Sequence, residues 1–224
     1  MFSKGLAADQ KKFGIELIGG DTITSLGPTT ICISIFGTPN SKGSLLRSGA
    51  KVGDGIFVSG TIGDAALGLM LRGNMSLLCS SKENSYCISR YRIPRPRIDL
   101  GLALGGMASA AMDISDGLFQ DLSHLCGASN VSGSVQANKI PLSKEVSSFV
   151  NENKFSIEQV ISGGDDYELI FTAPLTKENS IFNLARATKT RITRIGTIQS
   201  GKGISIFDKN GNILPFSKGG YSHD

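Results

Sequence analysis

Short runs of strand-forming residues alternate with runs of helical periodicity from Gly43 to Asp224. Gly55–Ser59 is an apolar run typical of a buried strand, and Asp64–Arg72 repeats apolar residues at the spacing of one helix face. The same patterns predict strands at Ala110–Ile114, Ser132–Ala137, Tyr167–Ala173 and Thr193–Ile198, and helices at Arg97–Ala108, Gly117–Leu125, Lys144–Asn151, Ile157–Ile161 and Thr176–Ala187. An Asn-Gly turn predicts a hairpin between Gly203–Phe207 and Asn212–Leu214. This interleaving predicts an α/β or α+β domain.

The part of the chain before Gly43 has a different pattern. We expect short strands at Ile15–Ile18 and Thr30–Phe36, because the second segment alternates apolar residues on both of its faces. The segment Gly37–Gly43 contains Pro39 and Asn40 and is typical of a linker. We therefore predict two domains, at residues 1–38 and 43–224.

Composition excludes several classes of protein. The chain has 224 residues, of which 40% are hydrophobic, enough for a core. Its longest uncharged stretch, near Leu100–Met112, is shorter than the ~20 apolar residues of a membrane span, and the net charge of +4 is not gathered into a nucleic-acid-binding face. We expect no membrane and no nucleic-acid partner. The four cysteines, which lack Cys-x-x-Cys spacing, favour free thiols in the cytoplasm.

Three acidic clusters lie beside glycines, and they carry the strongest chemical signal in the sequence. They are Ile18-Gly-Gly-Asp21-Thr22, Met112-Asp113-Ile-Ser115-Asp116-Gly117 and Ser162-Gly-Gly-Asp165-Asp166-Tyr167-Glu168. Carboxylates are ligands for Mg²⁺, which usually keeps waters and binds substrate phosphates as well. Neighbouring glycines allow a polyphosphate to approach the backbone N–H groups. The clusters therefore indicate a magnesium and polyphosphate site without a P-loop.

Each cluster also has a structural interpretation. Asp116 could cap the helix that follows it, Asp21 could be a turn residue, and Asp165 and Asp166 could serve only the solubility of a loop.

Arginines provide two further candidate anion contacts. Arg47, in Leu46–Asp54, is either a surface residue or a partner for phosphate oxygens at a domain junction. The basic segment Arg90–Arg97 is interrupted by two prolines, which favours a solvated loop leading into a helix over an anion contact.

The motifs together resemble the thiamine-monophosphate kinase family, within the aminoimidazole-ribotide-synthetase-like superfamily. They occur in family order: Leu17-Ile-Gly-Gly-Asp-Thr22, Leu46-Arg-Ser-Gly-Ala-Lys-Val-Gly-Asp54, Val58-Ser-Gly-Thr-Ile-Gly-Asp-Ala-Ala66, Arg95-Pro-Arg97, Met112-Asp-Ile-Ser-Asp-Gly-Leu118, Ile161-Ser-Gly-Gly-Asp-Asp-Tyr-Glu-Leu169 and Lys218-Gly-Gly-Tyr221. The resemblance implies ATP-dependent phosphorylation of thiamine monophosphate to thiamine diphosphate, in a homodimer that uses Mg²⁺.

The resemblance also implies a role for each matching residue. Magnesium ligands are expected at Asp21, Asp113 and Asp116. Contacts to ATP are expected from Gly20, Asp21, Arg47 and Ser115. Contacts to thiamine monophosphate are expected from Asp165 and Tyr221.

Family members carry a further N-terminal segment, with two motifs that this sequence does not contain. The resemblance therefore implies the C-terminal two-thirds of such an enzyme, with residues 1–38 as the remnant of an ATP- and metal-binding domain that forms a β-barrel. We expect residues 43–224 to fold, residues 1–36 to be mobile or to pair with another chain, and catalysis to be reduced by orders of magnitude. The alternatives are a non-enzymatic nucleotide-binding remnant or another synthetase of the superfamily. The segment Asp165–Tyr167 and Tyr221 favour the thiamine enzyme over the latter.

Overall fold

The computed structural model describes residues 2–39, 41–73 and 83–216. The chain divides between residues 39 and 40 into a first unit, residues 1–39, and a second unit, residues 40–224. This division falls inside the segment whose composition indicates a linker.

The first unit contains one helix, α1 (Phe2–Phe13), with two lysines in its last turn. The strands expected at Ile15–Ile18 and Thr30–Phe36 do not form, because residues 14–39 contain no strand. Their apolar side chains are exposed, including those of Ile31, Ile33 and Ile35. A strand needs a neighbour to bond its backbone N–H and C=O groups, and the described residues of this unit supply none. The local pattern is that of a strand, but no sheet is present to complete it.

The second unit interleaves strands and helices as predicted. In chain order its elements are β1 (Gly55–Ser59), α2 (Asp64–Gly73), α3 (Glu83–Arg92), α4 (Ile98–Leu104), β2 (Ala110–Ile114), α5 (Leu118–Ser129), β3 (Ser132–Gln136), α6 (Lys144–Asn151), α7 (Ile157–Ser162), β4 (Glu168–Ala173), α8 (Glu178–Ala187), β5 (Ile192–Gln199) and β6 (Gly203–Phe207). The predicted hairpin after β6 is reduced to one bridge, between Phe207 and Ile213.

The strands form a mixed sheet in the order β2-β4-β1-β5-β3-β6. Four of its strand pairs are antiparallel and the pair of β3 with β6 is parallel. The edge strand β2 lies beside β4, with Ile114 opposite Glu168. The end of β2 therefore meets the start of β4, and both strands adjoin acidic clusters there.

Helices cover both faces of the sheet. In β1 all five residues are buried. Ile56 and Val58 belong to the larger core, which includes side chains of α2, α5 and α7. Phe57 points the other way, stacks on Phe171 with ring centroids 5.3 Å apart, and packs in the smaller core with side chains of α4 and α8. Burial of the strand on both faces explains why three consecutive residues, Ile56–Val58, are large and apolar.

Among the described α-helices and strands of the second unit, the sequence patterns miss helix α3. We expect a polar loop over Leu77–Asn84, of which residues 77–82 lie outside the described residues and the last two begin α3. The helix packs closely against α2: a Cβ added at Gly68 would lie only 2.1 Å from the carbonyl oxygen of Cys87.

We predict that Gly68→Ala lowers the free energy of unfolding by about 1–3 kcal/mol, the usual cost of overpacking. In an open helix the same change normally stabilises by ~0.5–1 kcal/mol. Gly73→Ala is the matched control, because it lies in the same helix and, among the described residues outside its own helix, no atom lies within 4 Å of the added Cβ. Urea denaturation measures both variants. A Gly68→Ala protein as stable as the parent contradicts the close packing of α2 and α3.

Candidate functional site

The second and third acidic clusters come together at the junction of β2 and β4. The backbone N–H of Asp165 donates to the carbonyl of Ser115 at 2.8 Å, and that of Tyr167 donates to the carbonyl of Ile114 at 2.8 Å. Two turns that lie fifty residues apart in the sequence thus form one surface.

Glycines make this approach possible. Gly117 has φ +123°, and a Cβ there would lie 2.7 Å from the carbonyl oxygen of Ser162; a Cβ on Gly164 would lie 2.4 Å from that of Ser115. The sequence predicts that these glycines let a polyphosphate approach the backbone. In the structure, the opposite turn fills the space where each added Cβ would lie. Their observed role is the packing of one turn against the other.

Asp121, in the first turn of α5, fixes the turn that carries Asp116. Its Oδ2 accepts hydrogen bonds from the N–H groups of Ser115, Asp116 and Gly117, at 3.0, 3.0 and 3.1 Å. Burial raises the pKa of Asp121 to about 6, although these three bonds oppose the shift. The N-cap of α5 is Gly117, without a side-chain cap bond. The interpretation of Asp116 as a helix cap is therefore wrong.

The four residues from Asp165 to Glu168 alternate between two environments. Asp166 and Glu168 are fully buried, whereas Asp165 is half-buried and Tyr167 is 37% exposed. Both outward residues have left-handed backbone conformations, with φ +68° at Asp165 and +49° at Tyr167. Such conformations cost free energy in residues other than glycine and persist where surrounding contacts hold them. The interpretation of Asp165 and Asp166 as a merely soluble loop fails for the buried Asp166.

The inward residues are bound by a buried network. Arg90 Nη2 donates to Glu168 Oε1 and to the backbone carbonyl of Asp166, both at 3.0 Å. Arg97 binds both carboxylate oxygens of Glu168, and Ser59 donates to the same carboxylate at 2.6 Å. The expectation of a solvated loop at Arg90–Arg97 is wrong for Arg90, which lies in α3, is 2% exposed and pairs with the carboxylate of Glu168. It holds for residues 93–96, which form a largely exposed loop that leads into α4.

The Asp166 carboxylate anchors the start of α2. It accepts hydrogen bonds from the N–H groups of Gly63, at 2.7 Å, and Ala65, at 3.0 Å. Burial is the largest influence on this carboxyl and raises its pKa to about 7, against the lowering effect of the two N–H donors. Burying a charge in a low dielectric costs more than these bonds return.

Asp64, the first residue of α2, completes the network. Thr61 and Tyr86 donate to its Oδ2, which lies 3.9 Å from Arg90 Nε. Its Oδ1 and Arg90 Nη1 are buried without a hydrogen-bond partner among the described residues.

The outward side chains gather negative charge around the Tyr167 hydroxyl. Its pKa is raised first by partial burial, and then by the charges of Asp165, Asp113 and Asp116 and a hydrogen bond with Asp165. Asp113 is exposed on β2 and Asp116 is half-buried in the turn after it. The structure thus brings together three of the predicted site carboxylates.

A cleft of about 320 Å³ opens beside Asp165. Its walls are mainly apolar side chains and the glycine backbone of the third cluster: Ala66, Leu69, Met70, Phe155, Gln159, Ser162, Gly163, Gly164 and Asp165. This volume is at the lower end of the range of small-molecule pockets, ~300–1,000 Å³.

Four predicted site residues remain: Arg47, Gly20, Asp21 and Tyr221. Arg47 is exposed, in a segment held to the sheet by the N–H of Ala111, which donates to the carbonyl of Leu46 at 2.9 Å. Gly20 and Asp21 belong to the first unit, where Asp21 Oδ1 accepts the N–H of Thr22. Tyr221 lies outside the described residues.

Comparison with known proteins identifies the family. Residues 51–209 match the AIR synthase related protein, C-terminal domain. The thiamine-monophosphate kinase of Buchnera aphidicola subsp. Schizaphis graminum is 38% identical over 230 residues, which cover 99% of this chain and 68% of that protein. The chain belongs to the thiamine-monophosphate kinase family.

Two further members define how much of the family's length is present. The thiamine-monophosphate kinase of Caulobacter vibrioides is 35% identical, and the alignment covers 99% of this chain and 62% of that protein. The solved structure of AaThiL complexed with AMPPCP and TMP has a TM-score of 0.68 and 35% identity, covering 80% of this chain and 54% of that one. The chain thus spans 62–68% of these curated relatives.

Family membership explains why the motifs are present. It does not show which residues of a motif make internal contacts and which can face a ligand. The residues that sequence reasoning missed are Asp121, Asp166, Glu168, Arg90 and Arg97, all of which act on the motif from within the protein. One available signal was the position of Glu168 at the start of a strand, where alternate residues face opposite sides. The partner arginines carry no such signal, because only the packing of α3 brings Arg90 to the sheet.

Among the residues that the structure describes, no helix is long and apolar enough to cross a membrane.

We predict that the free energy of unfolding falls as the pH rises from about 4 to about 7. The pKa of Asp166 is about 7 in the fold against an ordinary 3.8, so the folded state holds this proton more tightly than the unfolded chain does. At ~1.4 kcal/mol per pKa unit, the change is on the order of a few kcal/mol. Asp121, with a pKa of about 6, adds to the fall only below that pH.

Asp166→Asn tests this assignment, because an amide does not titrate. The fall between about pH 6 and 7 should disappear in the variant, whatever its absolute stability. Urea unfolding at several pH values measures the slope. An unchanged slope between pH 6 and 7 contradicts the assignment to Asp166.

Proposed function

We propose that the protein containing this chain transfers the γ-phosphoryl group of ATP to the phosphate of thiamine monophosphate, producing ADP and thiamine diphosphate. The observation that supports this proposal most strongly is the pair of acidic turns joined at the β2–β4 junction. They belong to a chain of which 99% aligns with thiamine-monophosphate kinases. The similarity to AaThiL, whose complex contains AMPPCP and TMP, supports this choice of ligands.

Asp113 and Asp116 are the proposed Mg²⁺ ligands of the second unit, and Asp21 is that of the first. Their carboxylates fit an ion that binds one or two carboxylates together with waters and phosphate oxygens. The described residues contain no group of three or more side chains arranged to hold a metal by itself, so we propose that the phosphates complete the coordination. When bound, Mg²⁺ neutralises the charge of the transferring phosphoryl group.

The ATP contacts are proposed at Gly20, Asp21, Arg47 and Ser115. Exposure of Arg47 supports its assignment, because a guanidinium in water is free to pair with two phosphate oxygens at once. The Ser115 backbone is held by both Asp121 and Asp165, which supports a fixed position for its side chain next to Asp116.

Thiamine monophosphate is proposed to contact Asp165 and Tyr221. The apolar cleft beside Asp165 supports this assignment, since aromatic rings bind in mainly apolar pockets with few polar groups. Phosphoryl transfer depends chiefly on positioning and charge neutralisation. The role of this chain's residues is accordingly to orient both substrates, not to form a covalent intermediate.

A homodimer in the cytoplasm is part of the proposal. The exposed side chains of Ile31, Ile33 and Ile35 support pairing of the first unit with a second copy, which would cover apolar surface and strand-forming backbone. Cys32, Cys87 and Cys126 are free thiols, which fits a reducing compartment.

The proposal is tested with the purified 224-residue chain. Calorimetry measures binding of thiamine monophosphate and of ATP, and a coupled assay measures release of ADP with Mg²⁺. We expect saturable binding of thiamine monophosphate and ADP release that depends on it, below the usual enzyme range of ~1–10³ s⁻¹. If the chain binds ATP but does not bind thiamine monophosphate, the proposal is contradicted and a non-enzymatic nucleotide-binding protein is favoured.

We predict that Asp116→Asn lowers this turnover at least about tenfold, because the amide removes the charge of a metal ligand. Its thermal stability should stay close to that of the parent, since the Asp116 side chain does not cap α5. Asp99→Asn, at an exposed position in α4, is the matched control and should keep the parent turnover. Near-normal turnover of Asp116→Asn removes Asp116 from the site.

A further inference from the structure

Arg90 makes an unusual pair of contacts for a buried arginine. It is 2% exposed in α3, and one nitrogen, Nη2, binds both a carboxylate, Glu168 Oε1, and a backbone carbonyl, that of Asp166. Its partners lie on either side of Tyr167. Arg90 therefore spans the left-handed part of the chain that precedes β4.

The strained segment is held at four points. The N–H groups of Asp165 and Tyr167 are bound by the β2 turn, the Asp166 carboxylate is bound by the start of α2, and the Asp166 carbonyl is bound by Arg90. The first two contacts come from backbone and the third from a helix start. Arg90 supplies the fourth contact by a side chain, so a substitution can remove it without rebuilding the backbone.

Arg97 does not duplicate this role. Its hydrogen bonds go to the Glu168 carboxylate, and its side chain is 22% exposed. It can hold the start of β4, but only Arg90 among these two arginines also bonds the carbonyl before Tyr167.

Stability alone is a weak reason for such an arrangement. Ion pairs lose hydration when they are buried, and apolar replacements are often as stable or more so. Here Arg90 Nη1 and Asp64 Oδ1 are buried without a hydrogen-bond partner among the described residues, which adds to the cost. The arrangement does, however, fix direction: Asp166 and Glu168 face inward, so Asp165 and Tyr167 must face outward.

We infer that Arg90 is a positioning residue for the phosphate-acceptor substrate: by holding the Asp166 carbonyl and Glu168, it keeps Asp165 aimed at thiamine monophosphate. The inference rests on the proposed function for the identity of the ligand. It assigns Arg90 no contact with either substrate.

The test compares Arg90→Lys with Arg92→Lys, an exposed position in the same helix. Lysine keeps the charge, but its side chain is shorter and lacks the guanidinium group that carries Nη2 to both acceptors. In Arg90→Lys we expect the amides of Asp165 and Tyr167 to exchange with solvent about tenfold faster, while amides of β5 stay unchanged. Thiamine monophosphate should bind about tenfold more weakly and ATP within about twofold of the parent. Arg92→Lys should match the parent in all three measurements.

A second measurement uses the parent protein and needs no variant. The Asp165 and Tyr167 amides should exchange as slowly as those of β4, although they lie in a loop before the strand. Loop-like exchange in the parent overturns the inference, as does equal weakening of both ligands in Arg90→Lys. If the parent does not bind thiamine monophosphate, the proposed function and the substrate assignment are both refuted. If only the inference about Arg90 is wrong, the parent still binds thiamine monophosphate.

Discussion

Glu168 lies at the first residue of β4, where Arg90 and Arg97 bind its carboxylate and Ser59 of β1 donates to it. These partners come from the neighbouring strand β1, from helix α3 and from the residue just before α4. Once this carboxylate is placed, the start of β4 is fixed against β1 on one side. On the other side, β2 pairs with it through Ile114. Among the described residues, every candidate site residue of the second unit except Arg47 lies within a few residues of this junction.

In the segment Asp165–Glu168, residues that make internal contacts alternate with residues that can contact a ligand. Asp166 and Glu168 make internal contacts, and the residues that alternate with them, Asp165 and Tyr167, face outward. The left-handed conformations at Asp165 and Tyr167 are the cost of this arrangement. The turn after β2 follows the same principle. Asp121 accepts hydrogen bonds from three N–H groups of the turn, so the Asp116 side chain is not needed for this purpose and can bind a ligand. In both turns, buried carboxylates fix the backbone, and neighbouring carboxylates that are less buried can bind a ligand.

Sequence patterns predicted the second unit well because its elements are set by local periodicity. Strand β1 and helix α6 form with the predicted bounds, and α5 and β4 begin one residue from theirs. Helix α3 was missed because its buried positions do not form an apolar stripe: they are occupied by Cys87 and by the charged Arg90. The strands expected in the first unit failed for the opposite reason. Ile31, Ile33 and Ile35 alternate as a strand requires, but a strand exists only where another chain segment bonds its backbone.

The sequence by itself determined the mixed α/β class of the second unit, the acidic clusters and their family, because periodicity and short motifs are local properties. Its residue patterns did not distinguish Asp165 from Asp166, or Asp116 from Asp121, because each pair has the same side chain; the roles expected of Asp165 and Asp116 came from the family resemblance. Only the tertiary structure decided which carboxylate is buried against N–H donors and which faces outward. It likewise decided that Arg90, which looked like part of a solvated loop, is the internal partner of Glu168. Burial and hydrogen-bond partners come from segments distant in the chain, and no local pattern encodes which segments meet.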